Sequence, residues 1–157
     1  MKLALALAAV LFAGNVHAAQ DSGVIRKMSD NKFVPQAGLP ECVTVAPQQG
    51  DPAKGAFVIL FKAKSGCAVP WHWHSGNESL MIVAGSAKLE TKSNEKSSGL
   101  ALGPGAYAAL PAKHVHQFTC SSACTAFVTS DWAFDIHYVD AGGKEIPPEE
   151  ALAKKKK

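Results

Sequence analysis

The sequence predicts an all-β fold, a sandwich or barrel of about ten short strands. Three observations carry this expectation. Turn-forming residues recur at short intervals, with 13 glycines and 9 prolines in the chain. The stretches between them are short and rich in β-branched and aromatic residues, which suit a pleated, half-buried surface. Finally, 47% apolar against 18% charged residues marks a globular chain, and 157 residues give one domain a real core without comfortably making two.

Residues 1–18 read as a signal peptide. Lys2 supplies a minimal positive start, residues 3–13 are an apolar run of 11, and Val16-His17-Ala18 offers small-residue cleavage geometry before Ala19-Gln20. A membrane span needs about 20 apolar residues, so this run is too short for one. No cysteine stands at the cleavage point to take a lipid. The expectation is export to the periplasm or medium, with no stable membrane association after cleavage.

Residues 19–55 form an N-terminal extension, polar and read as poorly ordered over 20–32. Within it Phe33-Val34 and Cys42–Val45 look like short strands. Pro35, Pro40 and Pro47 confine them to sheet edges, because proline gives the ladder no donor. Gln48–Gly55 reads as a loop, and Ala56–Lys64 is the first full strand, rich in β-formers. Two more follow at about 69–74 and 79–84. Ser86–Lys92 alternates apolar and polar residues as a half-exposed strand does, and Ser93–Gly99 reads as a turn. Leu100–Leu102 leads into a Gly-Pro-Gly turn at 103–105; Ala106–Leu110, His114–Cys120, Thr125–Ser130 and Trp132–Val139 complete the strands. The barrel domain is thus 56–140, followed by a tail, 141–157. In the tail Pro147, Pro148, Glu149 and Glu150 come first and Lys154–Lys157 last, the order that a short C-terminal helix favours.

Loss of residues 1–18 removes Lys2 from the 16 basic residues, leaving 15 against 13 acidic ones, a formal net charge of +2. Four of those positives are the terminal lysines, so the body is slightly acidic and lacks the clustered basic face of a nucleic-acid binder.

The chain is organised around Gly66–Gly85. Successive strand side chains point to opposite faces, so His72 and His74 share one face and Trp71 and Trp73 the other. Ser75-Gly76-Asn77 supplies a tight turn that brings Glu78 back toward the two imidazoles. Two imidazoles and a returning carboxylate are three arms of a metal site. A second informative stretch, Gly105–Cys120, places His114 and His116 on one strand face.

These two stretches resemble the paired motifs of a small single-domain cupin. The first cupin motif runs glycine, five residues, His-x-His, three or four residues, Glu, six residues, glycine, and Gly66, His72, His74, Glu78 and Gly85 satisfy every spacing. The second runs glycine, five residues, Pro-x-Gly, two residues, His, three residues, Asn. Gly105, Pro111 and His116 match it, while Lys113 replaces the inner glycine and Cys120 the asparagine. The ending Phe134–Asp140 is also similar to the last strand of small bacterial cupins. The resemblance implies a double-stranded β-helix, or jelly-roll barrel. It also implies one divalent transition metal ion on His72, His74, Glu78 and His116, and a small-molecule substrate or ligand. The reactions it implies are of dioxygenase, isomerase or decarboxylase type, though the family also contains pure binders.

The donor chemistry agrees. Three imidazole nitrogens and one carboxylate oxygen suit Fe, Mn, Co, Ni or Zn rather than Ca or Mg. Four protein ligands on an octahedral ion leave two positions for water or substrate. His114 is the candidate acid-base residue, or else merely a hydrogen-bonding residue at the barrel rim. His137 is expected to be structural, and Tyr107 to line the pocket or the core.

Four cysteines in an exported chain predict two disulfides. Cys120 and Cys124 flank Ser-Ser-Ala, and a three-residue hairpin loop would set them opposite each other. That leaves Cys42 with Cys67. Trp71 and Trp73, pointing out of the barrel, predict a cover. It is either residues 33–47 or the second subunit of a homodimer.

Overall fold

The computed structural model describes residues 23–93 and 96–153. The signal peptide expected at 1–18 and the terminal Lys154–Lys157 lie outside the described residues. Among the described residues no helix is long and apolar enough to cross a membrane.

Ten strands make two antiparallel five-stranded sheets. They are β1 (Val43–Gly50), β2 (Phe57–Ala63), β3 (Ala68–Trp73), β4 (Glu78–Ala84), β5 (Ala87–Ser93), β6 (Lys96–Leu102), β7 (Tyr107–Leu110), β8 (His116–Cys120), β9 (Cys124–Ser130) and β10 (His137–Tyr138). One sheet runs β1-β2-β9-β4-β7 and the other β10-β3-β8-β5-β6. A single-turn 3-10 helix precedes them at Met28–Asp30, and the expected C-terminal helix is α1 (Pro148–Ala151), with proline in its first turn.

The sheets face each other across one core. In the first sheet, register aligns Phe57, Ser130, Glu78 and Leu110 in a row, with Ile59, Val128, Leu80 and Ala108 in the next inward row. In the second, His72 pairs with His116 and Val69 with Phe118. Polar ligand types therefore sit at one end of the barrel, above rows of apolar side chains. Phe61 and Phe118 meet edge to face, with centroids 5.8 Å apart, a geometry that adds about 1 kcal/mol beyond area burial.

Four local expectations are corrected. β1 runs on through Pro47 to Gly50, where a loop from Gln48 was expected. β1 is an edge strand, so Pro47 costs no ladder bond, and a bulge between Pro47 and Gln49 absorbs the irregularity. β6 begins at Lys96, inside the expected turn, because Ser97, Ser98 and Gly99 pair with Lys92, Thr91 and Glu90. β8 begins at His116 rather than His114; the two preceding residues close a turn in which His114 N–H donates to Pro111 O at 3.0 Å. The expected strand 132–139 shrinks to His137–Tyr138, because 131–136 is spent on contacts to the site.

Both disulfides form as paired, Cys42–Cys67 and Cys120–Cys124, each with Cα atoms 5.8 Å apart. The hairpin geometry is corrected, however. β8 and β9 belong to different sheets, so Ser121–Ala123 is an arch and the Cys120–Cys124 bond ties one sheet to the other. Cys42 immediately precedes β1 and Cys67 immediately precedes β3, so the second bond also joins the two sheets. Cys120 N–H donates to Cys67 O at 2.9 Å, which brings both bonds to one end of the barrel.

Candidate metal centre

The end opposite the disulfides carries the three imidazoles. His72 and His74 leave the C-terminal end of β3, and His116 opens β8 directly across from His72. One ring nitrogen from each of His72, His74 and His116 lies within 4.8 Å of the others. His72 and His116 are fully buried, at 4% and 2% exposure.

The orientation of the rings follows from their outer nitrogens. Nδ1 of His72 bonds the Pro70 carbonyl at 2.6 Å, Nδ1 of His74 the Asp135 carbonyl at 2.5 Å, and Nδ1 of His116 the His114 carbonyl at 2.9 Å. A carbonyl oxygen only accepts, so each Nδ1 must carry the proton and donate it. A neutral imidazole then presents its Nε2 lone pair inward. All three rings are thus held in the tautomer that ligates a metal through Nε2, by the outward hydrogen bond that metal-bound histidines generally make.

Glu78 opens β4 and extends one oxygen to each of two rings. Oε2 stands 3.0 Å from His74 Nε2, and Oε1 stands 3.7 Å from His116 Nε2. Two acceptors facing each other at 3.0 Å need a cation between them, either a proton or a metal ion. The donor set therefore fits a transition metal ion. Burial lowers the His72 pKa well below the usual imidazole value, and the neighbouring His116 and His74 lower it further. Burial likewise lowers His116, against the pull of Glu78. At His74 burial works the same way but is outweighed by the hydrogen bond and charge of Glu78, so its pKa is raised. Burial pushes Glu78 up, yet His74 and His116 outweigh it and hold its carboxyl below the usual range.

The turn between His74 and Glu78 is clamped from segment 131–135. Asp131 accepts from the Asn77 backbone N–H at 2.8 Å and from Asn77 Nδ2 at 2.6 Å, and Asp135 accepts from the Ser75 N–H at 2.9 Å. Asn77 Oδ1 in turn accepts from the Ala112 N–H at 3.1 Å, linking both motif turns. Gly76 packs so closely under Trp132 that a Cβ there would collide with the Trp132 side chain.

The centre opens onto a small cavity of about 60 Å3. Phe57, Ile59, Phe61, Leu80, Phe118 and Phe134 supply much of its wall, and its polar lining is His72, His74, Glu78, His116, Ser130 and Asp135.

The structure thus brings together His72, His74, Glu78 and His116. The His114 side chain is half-buried in the turn before β8 and is not part of the cavity lining; its carbonyl is what touches the site. His137 stacks on Trp73 with centroids 3.8 Å apart and planes 3° from parallel. Lys92 Nζ lies 4.8 Å from the Trp71 ring centre, so lysine and histidine side chains of the same chain shelter the tryptophans. Tyr107 is neither pocket nor core: it is 61% exposed on the outer face, with its hydroxyl on Ser79. Sequence reasoning missed Asp131, Asp135 and Ser130. The available signal was the pair of acids bracketing Trp-Ala-Phe, polar ends unsuited to a barrel strand.

No family model matches the chain, and no curated protein matches it. Solved structures do. KdgF from Halomonas sp. is 14% identical with a TM-score of 0.56, the match covering 70% of this chain and 94% of that one. An RmlC-like cupin from Shewanella frigidimarina is 12% identical with a TM-score of 0.58, covering 72% and 93%. An acetylacetone dioxygenase from Acinetobacter johnsonii is 20% identical with a TM-score of 0.58, covering 80% and 84%. The chain spans 32% of the length of an oxalate decarboxylase from Bacillus subtilis that it also matches. The fold is the cupin jelly roll.

Proposed function

We propose that this chain is a metal-dependent cupin that acts on a small organic molecule, with one divalent transition metal ion held by His72, His74, Glu78 and His116. The observation that carries the reading is the set of three outward Nδ1–carbonyl hydrogen bonds, which leaves three Nε2 lone pairs converging beside one carboxylate. When bound, the ion would supply Lewis acidity and an anchor for substrate oxygens; the structural neighbours include a dioxygenase and a decarboxylase. The residues of the chain orient the ligands, exclude water with phenyl walls and hold a carboxylate, Asp135, at the cavity. The His114 imidazole could serve as acid or base only by entering the cavity from its turn; Asp135 already lines it. Two disulfides fit an oxidising compartment. Together with the signal peptide read at 1–18, they support action in the periplasm or outside the cell.

A second reading, a binder without catalysis, is favoured by one observation. Among the described residues, Asp135 is the only ionisable residue lining the cavity apart from the proposed ligands. The test is to purify the chain without chelators or a histidine tag and measure bound metal. Wild type and His137→Ala should carry close to one first-row ion per chain, while His72→Ala, Glu78→Ala and His116→Ala should lose it. An Asp135→Asn variant that keeps its metal but loses turnover by about 10²-fold identifies an enzyme. A wild type that takes up no transition metal defeats the reading.

A further inference from the structure

Two unequal spaces meet at one side chain. The metal cavity has a volume of about 60 Å3. A cavity needs about 10–15 Å3 for each water-sized group it holds, and benzene is taken up by one of about 150 Å3. The space before the imidazoles therefore suits about four non-hydrogen atoms and is too small for a six-membered ring. Beside it lies an open groove of about 590 Å3, lined in part by Gln36, Gly38, Pro47, Pro52, Ile136 and Pro148. That volume falls within the range of about 300–1,000 Å3 in which proteins take up larger organic molecules. Among the described residues, Phe134 alone lines both spaces.

Phe134 is held in place by its backbone and by its neighbour. Its N–H donates to Pro52 O at 2.7 Å. The next residue, Asp135, accepts from His74 Nδ1 through its carbonyl at 2.5 Å and from the Ser75 N–H through Oδ1 at 2.9 Å. Its other carboxylate oxygen stands 3.5 Å from His137 Nε2. The backbone therefore cannot carry the ring away without breaking contacts to a ligand histidine and to the turn that follows it. The ring itself meets Phe57 edge to face, with centroids 6.4 Å apart, and lies 6.1 Å from the His74 ring. A large apolar ring held this way is a fixed partition rather than a lid. Resting on the metal-centre reading above, we infer that Phe134 is the specificity-determining residue of the centre: it confines the metal to ligands of about four non-hydrogen atoms and closes the groove to them.

Acetate and benzoate test the partition. They share one carboxylate head and one negative charge, and differ in a methyl against a phenyl group. Each is titrated into the full chain loaded with Co(II), read from the visible bands of the ion, and the affinities are expressed relative to those for the same ion in buffer. The wild type should favour acetate by about tenfold or more on that scale, against the usual gain from burying a phenyl ring. Phe134→Ala joins the cavity to the groove and should move the ratio toward benzoate by about tenfold or more, while cobalt content and far-UV dichroism stay unchanged. Phe134→Leu should move it the same way by less, and serves if the alanine variant does not fold. Benzoate held by the wild type as tightly as acetate, or a ratio that neither variant moves, overturns the inference while leaving the metal centre standing. Failure to take up cobalt at all defeats instead the reading on which it rests.

Discussion

Lys113 is the only non-glycine with a positive φ among the described residues, at 63°. It stands where the cupin motif has its inner glycine, so the backbone keeps the left-handed turn although the side chain does not suit it. The turn is retained because Lys113 N–H donates to His74 O at 2.8 Å, joining the two ligand-bearing motifs. A Cβ in that conformation costs about 1–2 kcal/mol. Lys113→Gly should therefore be more stable than Lys113→Ala by about 1 kcal/mol in urea denaturation, and equal stabilities would show the turn is unstrained. His74 gives a second expectation at this scale. Its pKa is raised above the usual 6.5, and the proton it holds faces Glu78, where a metal would sit. In the metal-free chain that proton adds stability fully present below pH 6.5 and lost as pH rises through the elevated value. His72 works the other way: its depressed pKa contributes stability above 6.5 that is lost as pH falls. Metal uptake competes with the His74 proton, so affinity should strengthen as pH rises through and above 6.5. Equilibrium dialysis across that range checks the sign.

At the scale of elements, segment 131–136 replaces a strand with a clamp. Its two aspartates hold the turn that separates His74 from Glu78, and its Phe134 closes the cavity wall while its N–H donates to Pro52 O at 2.7 Å. Gly76→Ala should therefore destabilise the fold by about 2 kcal/mol, through collision with Trp132, and should weaken metal binding in the fraction that folds. Normal affinity in the folded variant would separate the clamp from the site. This segment also marks where sequence reasoning stopped short. The ligand set was legible because His-x-His on a strand has a definite face and Glu78 follows a recognisable turn. The clamp was not, because side-chain hydrogen bonds between 77 and 131 leave no periodicity. β6 was missed for a similar reason: Ser97, Ser98 and Gly99 have turn-like composition, and pairing with β5 overrides it. His114 was read from its face in an assumed strand, but the turn after Pro111 ends that strand two residues too early.

For the whole molecule, function and fastening occupy opposite ends of one barrel. Both disulfides tie sheet to sheet at the end away from the imidazoles. Reducing them should cost about 3 kcal/mol for Cys42–Cys67 and about 2 kcal/mol for the shorter Cys120–Cys124 loop. The molecules that remain folded should bind metal as before, since no ligand is a cysteine. Denaturation with and without reductant, with metal content measured alongside, checks both parts; loss of metal before unfolding would mean the two ends are coupled.

One strand spans that whole length. β8 turns His116, Phe118 and Cys120 inward, so a single strand supplies a ligand at the mouth, the floor of the cavity and half of a cross-link. A slip of one residue in its pairing would turn all three outward at once. Closure of the Cys120–Cys124 bond is thus a covalent record that β8 was threaded correctly. In an oxidising compartment, the chains that acquire this mark are the ones whose ligands already converge, and misthreaded chains remain open to reshuffling.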